Sequence, residues 1–206
     1  MRWDRLFDDL ESQLEQERTA EEIGFEAEEE RLRLSRLSLR DRLVAVHQAH
    51  SAEAGFSIRI TLLSGEAIAV RPQAFGRDWV SALLVTESAR HRQGILPLAA
   101  IAGIDLPASQ ARASLGSSLR SSPTDAAAPP PRLSDRLGLG FVLRDLSRRR
   151  VAVEVTDARG TARGTIDRVG RDHLDLAIHE AGSPRRESLV SVVRLIPLAG
   201  LQLVSF

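Results

Sequence analysis

The chain repeats itself. "GRDWVSALLV" at 76–85 returns as "GRDHLDLAIH" at 170–179, ninety-four positions later. In this register Val80, Ala82 and Leu84 fall on Leu174, Leu176 and Ile178, so the apolar alternation keeps one phase in both copies. The same offset places Ile95, Leu96, Leu98 and Ile101 on Leu189, Val190, Val192 and Leu195, and Asp41-Arg42-Leu43 on Asp135-Arg136-Leu137. Allowing hairpin loops to vary in length, Ile58, Ile60 and Leu62 match Val151, Val153 and Val155, and Gly65 matches Gly160. Each copy then reads as a helix, a strand of period two, a Gly-bearing turn, a second strand, the Gly-Arg-Asp turn, a third strand, a polar loop and two short strands. The predicted class is α+β.

A helix followed by five short, bent strands resembles the Sm-like and SH3-like small β-barrels. The resemblance covers 37–104 and 132–200. "GTIDRVGRDHLDLAIHE" looks like the second and third strands of such a barrel, with Gly164 at a bend and Gly170 in the following turn. It implies two five-stranded barrels, each preceded by a helix, behind an N-terminal helical arm. The expected division is an acidic arm at 1–36, a helix and first barrel at 37–104, a linker at 105–131, and a helix and second barrel at 132–206. From its "MRWDRLFDDLE" opening onward the chain also resembles a group of actinobacterial proteins, which implies a source and no activity. RNA-binding Sm proteins grip bases with Asn in one loop and Arg-Gly in another. This chain has no Asn, and Arg159-Gly160 lies in the wrong hairpin, so that role does not carry over.

The arm has Trp3, Leu6, Phe7, Leu10 and Leu14 at helical spacing, which forms one apolar stripe for a homodimeric helix pair, a protein partner or the chain's own barrel. The continuation "EEIGFEAEEERLRLSRL" predicts a helix with Ile23, Ala27 and Leu34 inward, interrupted at Gly24. Between the copies, 105–131 is rich in Ala, Ser and Pro and reads as a linker, its Ser121, Ser122 and Thr124 open to phosphorylation. Ser134 reads as the N-cap of a helix turning Leu133, Leu137, Phe141 and Leu146 inward, with Gly138 and Gly140 inside it.

The chemistry of enzymes finds few carriers. There is no Cys and no Lys, hence no thiol nucleophile and no P-loop lysine, and neither a nucleophile elbow nor a zincin helix occurs. "GLGFVL" lacks the preceding strand and third glycine of a dinucleotide site. His47, His50 and Glu53 at a helix end, and His173, Asp175 and His179 along one strand, are partial metal sets at best. The first copy has Trp79, Ser81 and Val85 at the latter positions, so the fold needs no ligands there. No catalytic residue, cofactor or metal is expected.

All 28 basic residues are Arg, as in a high-GC genome, which weakens any inference from Arg alone. Their distribution says more: residues 1–50 hold 8 basic and 13 acidic groups, residues 111–206 hold 15 and 10. A chain acidic in front and basic behind favours antiparallel self-association, docking of the front onto the back, or an anionic partner for the back. Nucleic acid would meet Arg148, Arg149, Arg150, Arg185 and Arg186, with Trp79 as an exposed stacker. The lack of cysteine, of a signal-like opening and of a long apolar run predicts a cytoplasmic protein that binds no membrane. The leading expectation is a non-enzymatic binding or scaffold protein that meets a protein partner or its own copies through the N-terminal helix and barrel edges. Binding of RNA, at the ribosome or transcription machinery, is the alternative.

Overall fold

A computed structural model describes residues 2–85, 92–116, 133–179 and 190–206. Helix α1 (Arg2–Ser35) leads through a short turn into α2 (Leu39–His50). Strands β1 (Ile58–Leu62), β2 (Ala67–Phe75), β3 (Trp79–Val85), β4 (Arg92–Pro97) and β5 (Ile101–Asp105) follow, then the short α3 (Ala108–Ala113). The second half runs through α4 (Leu139–Arg148), β6 (Ala152–Asp157), β7 (Gly160–Val169), β8 (His173–Ile178), β9 (Val192–Pro197) and β10 (Leu201–Ser205).

The strands form one antiparallel sheet in the order β5-β1-β2-β3-β4-β10-β6-β7-β8-β9. This corrects the expectation of two five-stranded barrels: neither half closes on itself. The halves share the spatial order fifth-first-second-third-fourth, and the last strand of the second half lies against the fourth of the first. Val204 stands opposite Ile95 and Ser205 opposite Gly94, while Gln93 and Phe206 exchange backbone hydrogen bonds of 3.1 and 2.9 Å. A barrel would have satisfied the edge of β4 within its own half; here the other half satisfies it.

Period two shows on β1 and β8, whereas Gly94–Pro97 of β4 and all of β10, at the seam, are buried without alternation. On β1, Ile58, Ile60 and Leu62 are buried while Arg59 is exposed, and on β8 Leu174 and Leu176 are fully buried. Both halves bulge at the same place, between Pro72 and Ala74 on β2 and between Ile166 and Arg168 on β7, which bends the long second strand. Pro72, with no amide proton to donate, sits at the irregularity. Each Gly-Arg-Asp turn closes alike: Gly76 donates to the Trp79 carbonyl at 2.8 Å, Gly170 to that of His173 at 2.9 Å. The ring three residues on lies over each glycine, so a Cβ at Gly76 would enter the buried Trp79 indole and one at Gly170 would displace the half-exposed His173 imidazole.

The ladders set the correspondence between halves. Val70 and Gly164 are equivalent, and their partners on the first strand are Ile58 and Val153, so Ile58 answers to Val153 and not to Val151. At the other end, Trp79 pairs with Pro97 and His173 with Pro197, so Ile95-Leu96-Pro97-Leu98 answers to Leu195-Ile196-Pro197-Leu198, one hundred positions on. The ninety-four-residue offset therefore holds for the second and third strands and lapses after β8.

The helices also depart from expectation. Helix α1 runs unbroken through Gly24, and Ile23 and Phe25 are 62% and 73% exposed, so this stretch is not folded inward. Its lower end is tied where Arg33 donates to the Leu115 carbonyl at 2.9 Å. A capping box, Ser38 with Asp41, starts α2, which buries Leu43 and Val46. Ser134 lies inside a 3-10 turn at Leu133–Arg136, and the N-cap of the helix that follows is Gly138. Helix α4 begins after Gly138 and buries Leu139, Leu143 and Leu146, while Leu133 and Phe141 face solvent. Inside the expected linker, Ala108–Ala113 is helical, and Ser114 accepts from Arg42 of α2 at 2.8 Å.

Two apolar cores result, and they interleave. The first gathers Leu43, Val46, Ile60, Leu62, Val70 and Leu96, with Leu203 contributed by the second half. The second gathers Leu143, Leu146, Val155, Ile166, Leu174 and Leu176, with Trp79 and Ile95 contributed by the first.

Candidate binding surface

The junction between halves shows what an edge of this sheet can hold. Ile95 projects from β4 into the second core, where it lies with Leu139, Leu143, Leu201 and Val204 and is 2% exposed. Beside it the first Gly-Arg-Asp turn meets the start of α4. Asp78 accepts the Leu139 amide proton at 2.7 Å, and Arg77 and Trp79 donate to the Leu137 carbonyl at 3.0 and 2.9 Å. Gly138, the N-cap, has no side chain to satisfy these amides, so Asp78 from the other half does so. Its carboxylate is also the charge that a helix N-terminus favours.

An ion pair crosses the same seam. Arg92 of β4 and Arg163 of β7 both reach Glu154 of β6, at 3.1 and 2.8 Å. Burial alone would push the Glu154 carboxyl up, but hydrogen bonds from Arg92 and then Arg163 outweigh it and hold the group below its ordinary range. A carboxyl depressed on folding contributes stability that is present above its unfolded value and lost as pH falls through its folded one. Glu154→Gln should therefore cost about 1 kcal/mol at pH 7, the upper range for a part-exposed pair. The difference from the parent should shrink on acidification below the ordinary value near 4.5, in urea titrations at several pH values. A difference that stays constant with pH would remove Glu154 as the titrating group.

At the two ends of the sheet no described residue repeats these contacts. Strand β9 is an edge, and Val192, Val193 and Leu195 are 56%, 48% and 64% exposed. Strand β5 is the opposite edge. The second Gly-Arg-Asp turn exposes Arg171 and Asp172, and His173, in the place of Trp79, bonds Asp172 at 2.8 Å. That hydrogen bond lowers the Asp172 carboxyl from its ordinary value.

The residues singled out for nucleic acid are scattered in role. Arg148 and Arg149 both pair with Asp145, at 2.6 and 3.1 Å, and Arg150 pairs with Asp167 at 2.9 Å. All three remain exposed. The bonds from Arg148, then Arg149, hold Asp145 ionised below its ordinary range. Trp79 is no exposed stacker: it is 7% exposed and its indole N–H is bonded to Leu137. Arg185 and Arg186 lie outside the described residues, as do Ser121, Ser122 and Thr124. Trp3, Leu6, Phe7, Leu10 and Leu14 lie on α1, and their side chains are outside the description.

The described histidines have local partners. His50 bonds Glu53 at 2.8 Å and stacks on Phe56, His47 meets the edge of Phe75, and buried His179 bonds Thr165 at 2.9 Å. Among the described residues no group of three or more possible metal ligands comes together. Nor does any described helix have the length and apolarity to cross a membrane. Compared with known protein families, curated proteins and solved structures, the chain matches none.

The exposed β9 edge was not singled out from the sequence. The signal that would have found it is "ILPLAAI" against "LIPLAGL", which places Leu195 where Ile95 stands.

Proposed function

We propose that this protein is a non-enzymatic, cytoplasmic binding scaffold, whose contacts are made by the open edges of its sheet and by the helical arm α1. The observation that carries the reading is the contrast between Ile95 and Leu195. One is covered by a neighbouring strand; the other, in the same position of the second half, is 64% exposed on an unpaired edge. Apolar side chains in a row on an edge strand are avoided unless a partner covers them, because unpaired N–H and C=O groups beside them invite another strand. The long α1, with Ile23, Phe25 and Leu32 exposed, offers a second contact of the same kind. The pairing of Arg148, Arg149 and Arg150 with carboxylates of their own half favours protein over nucleic acid as the partner.

Two variants test the reading. Val193→Pro removes an edge amide and blocks strand addition, and deletion of residues 1–35 removes the arm. Sedimentation and affinity purification from native cytoplasm should show a changed solution mass or a changed set of bound proteins for at least one. If both variants match the parent in mass and in bound proteins, the scaffold reading fails.

A further inference from the structure

The chain carries its own template for what covers β9. Resting on the scaffold reading, we infer that the occupant is the β5 edge of a second copy, so that copies join head to tail through a repeat of the β4·β10 seam. Within one chain the fourth strand of the first half pairs with the fifth strand of the second. The fourth strand of the second half, β9, and the fifth of the first, β5, lie at opposite ends of the sheet, each paired on one side only among the described residues.

Transposing the seam by one hundred positions fixes a register. Val204 opposite Ile95 becomes Ile104 opposite Leu195, and Ser205 opposite Gly94 becomes Asp105 opposite Arg194. The Gln93–Phe206 exchange becomes Val193 with Leu106. The residues fit the register: two apolar pairs flank one pair of opposite charge, each of a kind that stabilises strands set side by side. Where the first seam has neutral Ser205 and Gly94, the second has Asp105 and Arg194, and this charge pair rejects the reversed arrangement of β9 on β9, which would bring arginines together.

The socket is present as well. Leu39, Leu43, Ile101, Ile104 and Leu106, with Arg42 beside them, line a cavity of about 250 Å³ between α2 and β5. Counted from the helix starts at Leu39 and Leu139, which replace the earlier match of Leu43 to Leu137, their counterparts one hundred positions on are Leu139, Leu143, Leu201, Val204 and Phe206, which share the second core with Ile95. The cavity is thus the place that Ile95 fills in the other half, and Leu195 is the side chain that fills it here. Leu39 is 41% exposed beside this cavity, whereas Leu139, beneath the first Gly-Arg-Asp turn and in the core with Ile95, is 7% exposed. The acidic front and basic back of the sequence add long-range attraction in the same sense. A contact between unlike edges repeats until it closes on itself, giving a ring or a filament.

The absence of cysteine makes the register measurable. Two full-length variants are prepared, Arg194→Cys and Asp105→Cys, and oxidised singly and mixed. The mixture should give a disulfide-linked dimer of one chain of each kind, reversed by reductant, since directly opposed residues meet the Cα spacing a disulfide needs. Arg194→Cys mixed with Gly103→Cys, two residues out of register, should give none. Separately, Arg194→Asp should weaken self-association of the unlinked chain about fivefold, and a chain bearing Asp105→Arg should restore it. The inference is overturned if Arg194→Cys alone dimerises, or if the mixture gives no dimer. A missing dimer alongside loss of bound proteins in Val193→Pro would sink this inference and leave the scaffold reading standing.

Discussion

Replacing Ile95 with alanine should cost about 3 kcal/mol, and the loss should appear as one unfolding transition shared by both halves. Ile95 belongs to β4 but is buried in the second core, so the cavity it leaves lies among Leu139, Leu143, Leu201 and Val204. Urea unfolding followed by circular dichroism should shift in midpoint while keeping its slope, because the surface exposed on unfolding is nearly unchanged. The paired control is Leu195→Ala. At the same place in the other half it should change stability by no more than about 0.5 kcal/mol, the range for an exposed site. Its effect should appear in self-association instead. Two separate transitions, only one of them moved by Ile95→Ala, would show that the seam does not couple the halves.

The second large effect is expected at Gly164. A Cβ there would run into the carbonyl group of Ala177 and lie 3.2 Å from the Cα of Ile178, so β8 would have to move away. Backbone cannot rotate aside as a side chain can, and Gly164→Ala should cost about 3 kcal/mol, the upper range for overpacking. Thermal melts of this variant should be compared with Gly200→Ala, where nothing lies within 4 Å and the change should stay near about 0.5 kcal/mol. Equal melting temperatures for the two would mean that β7 and β8 are not so closely apposed. The position is specific to the second half, since its counterpart Val70 is a fully buried side chain.

These two sites also mark how far the sequence could be read. Period-two alternation identified the third strand of each half and its buried face, and Leu174 and Leu176 lie inward for that reason. The doubled Gly-Arg-Asp turn marked a shared local structure, because its glycine lies beneath a ring. Alternation reports which way a side chain faces and says nothing of which strand lies alongside. The pairing of β4 with β10 joins segments about a hundred residues apart and is encoded only in the fit of Ile95 among residues of another half. The closed barrels expected from the family resemblance failed at that point. The late strands were misregistered because the intervening loop is six residues longer in the second copy, and the gap had to fall after Ile178. Helix α4 was begun too early because Ser134 is a good cap in the abstract, whereas the cap in use, Asp78, comes from the opposite half.

The interleaving of the cores bears on what either half is worth by itself. Residues 133–206 alone would lack the Trp79 and Ile95 side chains that complete their interior, and residues 37–104 alone would lack Leu203. Held in one polypeptide, these missing parts are supplied at an effective concentration in the millimolar range, which two separate molecules in dilute solution rarely reach. The covalent tie thus turns a meeting of strangers into a permanent arrangement.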